Sequence, residues 1–136
     1  MSPALQPRPT ILVIDDDPLF RETLRRQLLA LGARVVVAAD GLDGLAQVQH
    51  WQPDAVLCDL TMPTMGGLEF AMRMRRDPRH RSVLLMAVTG RSSQSDLLET
   101  WRVGFDGHLV KPVSTEMLDS VVQRLARPAS RLVQGA

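Results

Sequence analysis

Two rhythms of apolar and polar residues run through this chain. Short, nearly unbroken apolar runs recur at 10–14, 35–39, 55–58, 83–88 and 108–110. Runs of that length, closed by turn residues, predict strands buried on both faces of a parallel sheet. Between them apolar residues return at helical spacing. Phe20, Leu24, Leu28 and Leu31 lead to Gly32; Leu45 and Val48 lie within 42–51; Phe70 with Ala71 or Met74 lies within 68–76. A fourth helix is predicted over 95–103, stopped by Gly104, and a fifth over 114–125 with Met117, Leu118, Val121, Val122 and Leu125 inward. Asp17 and Pro18 predict the first helix's N-cap and first turn.

Strands alternating with helices predict an α/β domain whose parallel sheet is covered on both faces. With right-handed crossovers the natural strand order is 2-1-3-4-5, flavodoxin-like, with strands one and three adjacent at the switch point. The domain is expected over 10–127, between a flexible arm at 1–9 carrying three prolines and a frayed tail at 128–136.

Composition narrows the function classes. The chain has 136 residues, one domain's worth, and 45% of them are hydrophobic, which speaks against disorder. A formal net charge of +1 argues against direct binding of nucleic acid or of an anionic membrane. No apolar stretch approaches the roughly 18 residues of a spanning helix, and the first nine residues are no signal peptide. One cysteine, Cys58, excludes an internal disulfide and reads as a buried filler. A cytoplasmic protein is therefore expected. The basic run from Arg73 to Arg81 is broken by Asp77-Pro78 and lacks interleaved aromatics, so it reads as a solvated face. Of the 16 basic residues fifteen are arginine; Lys111 is the one lysine, as suits a site needing a compact point charge.

The candidate chemistry sits where the strands end. A doubly buried strand cannot hold a charge in its middle but can at its carboxyl end, where open α/β sheets bind ligands. The central run Ala55-Val56-Leu57-Cys58 ends in Asp59; the others deliver Asp15 and Asp16, Thr89 and Lys111 to the same end. Three packed carboxylates repel one another unless a cation relieves them, and all-oxygen ligation suits Mg²⁺. The metal is expected between Asp16, Asp59 and a loop carbonyl, with Asp15 acting through water. Asp59, flanked by metal and Lys111, is the candidate nucleophile toward phosphorus, with the Thr89 hydroxyl donating to a phosphoryl oxygen.

Four phrases now combine: Ile-Leu-Val-Ile-Asp15-Asp16-Asp17-Pro18, Asp59-Leu-Thr-Met-Pro63 with Gly66-Gly67, Val88-Thr89-Gly90, and Leu109-Val110-Lys111-Pro112. Asp59 and Thr89 lie 30 residues apart, Thr89 and Lys111 22 apart. In these phrases the chain resembles the CheY-like response-regulator receiver domains of two-component signalling, over Thr10 to about Leu125. The resemblance implies that Asp59 accepts a phosphoryl group from a histidine kinase or histidine phosphotransfer domain. It implies that Asp15, Asp16, Asp59 and the Thr61 carbonyl hold Mg²⁺, that Thr89 and Lys111 read the phosphorylated state, and that the Lys111–Pro112 bond is cis. It further implies a partner face on the fourth helix, fifth strand and fifth helix for a downstream protein target. Leu97 and Trp101, one turn apart, are either core residues or an exposed anchor there. Phosphoryl lifetime is expected to depend on Thr61 and Arg91.

Two positions depart from the family pattern: Gly90 stands where Ala is usual, and His108 where the switch aromatic is Tyr or Phe. The expected function is a phosphorylation-controlled switch, monomeric or dimerising on phosphorylation, and not an enzyme beyond its own phosphoryl transfer and slow dephosphorylation. Its Met1 favours a free-standing regulator over a module of a hybrid kinase. The competing reading is a phosphatase of the haloacid-dehalogenase kind. There Asp15-x-Asp17 after the first strand is the nucleophile motif, and Asp15 is phosphorylated in place of Asp59. An interaction module with a vestigial site is disfavoured by the intact set of five residues.

Overall fold

The computed structural model describes residues 8–90 and 94–126. Five strands, β1 (Thr10–Ile14), β2 (Arg34–Ala38), β3 (Ala55–Asp59), β4 (Leu84–Thr89) and β5 (Gly107–Val110), form one parallel sheet in the order 2-1-3-4-5. Five helices alternate with them: α1 (Pro18–Ala30), α2 (Gly41–Trp51), α3 (Gly67–Arg76), α4 (Gln94–Val103) and α5 (Thr115–Leu125). The flavodoxin-like architecture expected from the pattern is the one observed, with strand and helix limits shifted by a residue at most.

Two cores flank the sheet, because alternate strand residues point to opposite faces. On one side Leu24 and Leu28 of α1 and Leu118, Val121 and Val122 of α5 close over Ile11, Val13, Leu57 and Val88. On the other, Val48 of α2 and Phe70, Ala71 and Met74 of α3 close over Leu12, Ile14, Val56, Cys58 and Ala87. The central strand β3 is buried at all five positions, Asp59 included. Caps follow the sequence. The Asp17 carboxylate accepts from the Leu19 and Phe20 amides, and Ser114 accepts from Met117. Gly32 and Gly104 turn the chain out of α1 and α4 at φ of +93° and +110°, the left-handed region that glycine enters without strain.

The structure corrects three expectations. Met117 is not part of the buried stripe of α5: it is exposed, beside an apolar recess formed with Met86 and Leu109. The basic run is not wholly a solvated face. Arg75 folds inward, 18% exposed, and its guanidinium donates to the carbonyls of Gly104, His80, Arg81 and Val83 and to Asp106 Oδ2. His80 is buried in a 3₁₀ turn, Pro78–His80, that the pattern did not announce. At the amino end Pro9, expected in the arm, is buried and its carbonyl accepts the Arg34 amide. Residues 1–7 of the arm, residue 127 at the expected end of the domain, the tail at 128–136 and Arg91 lie outside the described residues.

Candidate functional site

Parallel register brings the strand ends together. Ile14 pairs with Cys58, Asp59 with Val88 and Thr89 with Val110, so the residues at the carboxyl ends of β1, β3, β4 and β5 reach one rim. Asp15 is almost completely buried (1% exposed), Asp59 nearly so, and Asp16 exposed. Oxygens of these three carboxylates lie within 4.8 Å of one another. Lys111 Nζ stands 3.2 Å from Asp15 Oδ2 and 3.8 Å from Asp59 Oδ2. The structure therefore brings together Asp15, Asp16, Asp59 and Lys111, and Asp59 and Lys111 line a cleft of about 490 Å³ with Thr61, Thr89 and Gly90. The Lys111–Pro112 peptide bond is cis.

Each acid is held differently. Asp15 Oδ1 accepts the Asp17 amide, and the Asp15 carbonyl accepts from the Arg21 guanidinium. Its Oδ2 has the Lys111 ion pair but no hydrogen-bond partner among the described residues. Asp59 Oδ1 accepts the Thr61 amide at 3.3 Å. Burial and the Asp15 carboxylate push the Asp59 carboxyl above its ordinary value, Asp16 adding a little, while Lys111 and the Thr61 amide pull the other way. The neighbouring Cys58 thiol is pushed well up by burial and by the same carboxylates, which makes it an inert filler and not a nucleophile.

These observations test the donor set for a divalent cation. A buried carboxylate oxygen without a hydrogen bond, two further carboxylates within reach, and a destabilised ionised Asp59 are what a hard, oxygen-seeking cation relieves. The residues fit Mg²⁺.

The fourth wall of the cleft was not foreseen. Glu99 and Thr100 of α4 line it, and Thr100 Oγ1 donates to the Leu97 carbonyl at 2.8 Å while lying 3.3 Å from His108 Nε2. Leu97 is half-buried; Trp101 is 59% exposed and His108 half-buried. Trp101 is thus not a core residue. Phe20 was read from its spacing as helix packing, yet Lys111 Nζ stands over its ring, 4.3 Å from the centroid. Helical phase placed Phe20 inward; nothing in the spacing said that it meets a cation.

Comparison with known proteins bears on the family and the fold. The family model described as "Response regulator receiver domain" matches residues 11–123. The chain is 33% identical to the "DNA-binding dual master transcriptional regulator RpaA" of Synechocystis over 94% of its own length and 53% of that protein. It is 35% identical to the "Sensor histidine kinase CheAY" of Helicobacter pylori over 84% of its own length and 14% of that protein. The chain thus spans about half, or less, of these curated relatives. Among solved structures, chemotaxis protein CheY4 of Vibrio cholerae superposes with a TM-score of 0.83 at 31% identity, covering 88% of this chain and 99% of that one. A signal receiver domain of a histidine kinase from Syntrophus aciditrophicus gives 0.80 at 25%, covering 90% and 93%.

Proposed function

The chain belongs to the response-regulator receiver domain family, and from that premise we propose that Asp59 is its phospho-accepting residue. The family is a phospho-accepting signalling domain of two-component systems that interacts with histidine kinases and downstream effectors. In the proposed reaction an Asp59 carboxylate oxygen forms a bond to phosphorus as the bond from phosphorus to the donor's leaving atom breaks. The donor is a phosphohistidine of a histidine kinase or phosphotransfer domain, whose imidazole leaves and takes up a proton from water.

The observation that carries this reading is the placement of Asp59. It is an acid nearly out of solvent at the end of the central strand, 3.8 Å from the one lysine and clustered with two further acids. Positive charge gathered at the cleft would offset the burial and the neighbouring acids that push its carboxyl above the ordinary value. Asp15, Asp16 and Asp59, with the Thr61 carbonyl, would hold Mg²⁺, which when bound neutralises charge developing on the phosphoryl oxygens. Lys111 supplies the opposite positive charge, and Thr89 on the facing wall donates its hydroxyl to a phosphoryl oxygen. Movement of Thr89 and its loop toward that oxygen would shift the population of the surface around His108, Leu97 and Trp101. The exposure of Trp101 supports a partner face there, for a protein target.

The test is direct. Incubation with Mg²⁺ and acetyl phosphate, followed by mass spectrometry, is expected to label Asp59, with the label lost in Asp59→Asn. Label on Asp15, or sustained turnover of phosphate esters that survives Asp59→Asn, would hand the site to the hydrolase reading instead.

A further inference from the structure

We infer that Phe20 is a positioning residue for the Lys111 ammonium, holding it by the face of its ring where it can serve a phosphoryl group on Asp59. This deepens the reading of Asp59 as acceptor and rests on it. Among the described residues three groups meet Nζ: Asp15 Oδ2 at 3.2 Å, Asp59 Oδ2 at 3.8 Å and the Phe20 centroid at 4.3 Å. Without the ring the ammonium has one dominant partner, Asp15, which is the nearer and the more buried of the two acids. It would then be drawn away from the oxygen that is to carry phosphorus.

An aromatic face opposes that in a particular way. Its attraction for a cation is broad and uses up no N–H, so all three ammonium protons stay available to carboxylate and phosphoryl oxygens. It also lets Nζ slide between the two acids without losing the contact. The side chain of Lys111 is 26% exposed, so the ring acts on a partly desolvated charge, where such contacts are stronger than at an open surface. Local structure explains the placement. Asp17 caps α1 directly after Asp15 and Asp16, so the turn that sets those acids also sets the helix phase, with Leu19 outward at 76% exposure and Phe20 inward. Phe20 packs on the core beneath α1 and α5, which fixes the ring plane. An arginine would spread its charge over a planar fork on a longer stem, and the chain uses its single lysine here.

The experiment uses the full chain with phenylalanine, or mono-, di- and trifluorophenylalanine, at position 20, alongside Phe20→Leu and Phe20→Trp. Fluorine drains the ring face of negative potential while barely changing shape. The first readout is the proton shift of the Lys111 side-chain CH₂ next to nitrogen, unambiguous because the chain has one lysine. It is expected upfield in the wild type and relaxed in Phe20→Leu. The second is the phosphorylation rate against acetyl phosphate concentration at fixed Mg²⁺. The maximal rate is expected to fall with each added fluorine, by roughly threefold to tenfold across the series and in Phe20→Leu, with half-saturation unchanged and Phe20→Trp retaining the rate. Thermal midpoints across the fluorine series should stay level. A lysine shift indifferent to Phe20→Leu, a rate flat across the fluorines, or a rate that merely follows the midpoints overturns the inference. If the wild type takes no label on Asp59, the reading of the acceptor falls, and the lysine shift alone decides whether the ring holds the ammonium.

Discussion

Replacing Asp59 with Asn should make the protein more stable, although Asp59 is the residue on which the proposed function turns. The Asp15 and Asp59 oxygens, no more than 4.8 Å apart, repel by at least about 3.5 kcal/mol at an effective dielectric of about 20, and Lys111 at 3.8 Å attracts Asp59 by about 4 kcal/mol. These nearly cancel. What remains is the cost of burying the charge and the further push from Asp16, and it is these that leave the Asp59 carboxyl above its ordinary value. Asn keeps the shape and an Oδ1 to accept the Thr61 amide, and it removes the charge. The net gain is about 1 kcal/mol, or about 4 °C in Tm for a domain of this size.

The sign in pH follows from the raised value. The folded state binds the Asp59 proton more tightly than the unfolded chain does. The contribution is complete below the ordinary carboxylate value and is lost as pH rises through the raised folded one. The advantage of Asp59→Asn should therefore be present at neutral pH and fade in acid. The assay is thermal melting of both proteins in EDTA across pH, then with Mg²⁺ added. Mg²⁺ is expected to raise the wild-type midpoint more than the variant's, since binding to the folded state stabilises by mass action. An Asp59→Asn midpoint at or below wild type in EDTA at neutral pH would refute the reasoning, as would equal Mg²⁺ shifts in both proteins.

Three further predictions concern the frame around the site. Arg75→Met keeps the stem but removes the guanidinium's hydrogen bonds to four carbonyls and Asp106, and should cost about 2–4 kcal/mol in urea unfolding; Arg75→Lys recovers little, because an ammonium cannot span that fan of acceptors. Gly67→Ala drives a methyl into the Asp59 carbonyl and to within 2.9 Å of Leu60 Cα, so it should lose about 1–3 kcal/mol and slow phosphorylation too. Gly90→Ala meets nothing within 4 Å among the described residues and should change the urea-unfolding stability by less than about 0.5 kcal/mol.

Most of the site was legible in the chain because its residues mark strand ends. A doubly buried strand writes itself as a continuous apolar run, and the first charge after the run falls where the sheet opens to solvent. Asp15, Asp59 and Lys111 could each be placed by that rule, and the parallel order then forced them onto one rim. Asp17 was likewise readable as a cap, since capping is a matter of a few neighbouring residues.

What the chain alone did not disclose are contacts made by side chains that cross between elements. The helical period says that Phe20 faces inward but not that it lies under an ammonium 91 residues later. A basic run reads the same whether its arginines are solvated or, like Arg75, turned back onto backbone carbonyls of two stretches, 80–83 and Gly104. Trp101 and Thr100 are adjacent on one helix, yet one lies open and the other is sealed against His108. Sequence period sets the direction of a side chain from its own axis. Which partner waits in that direction depends on how the layers pack, and only the folded chain holds that information.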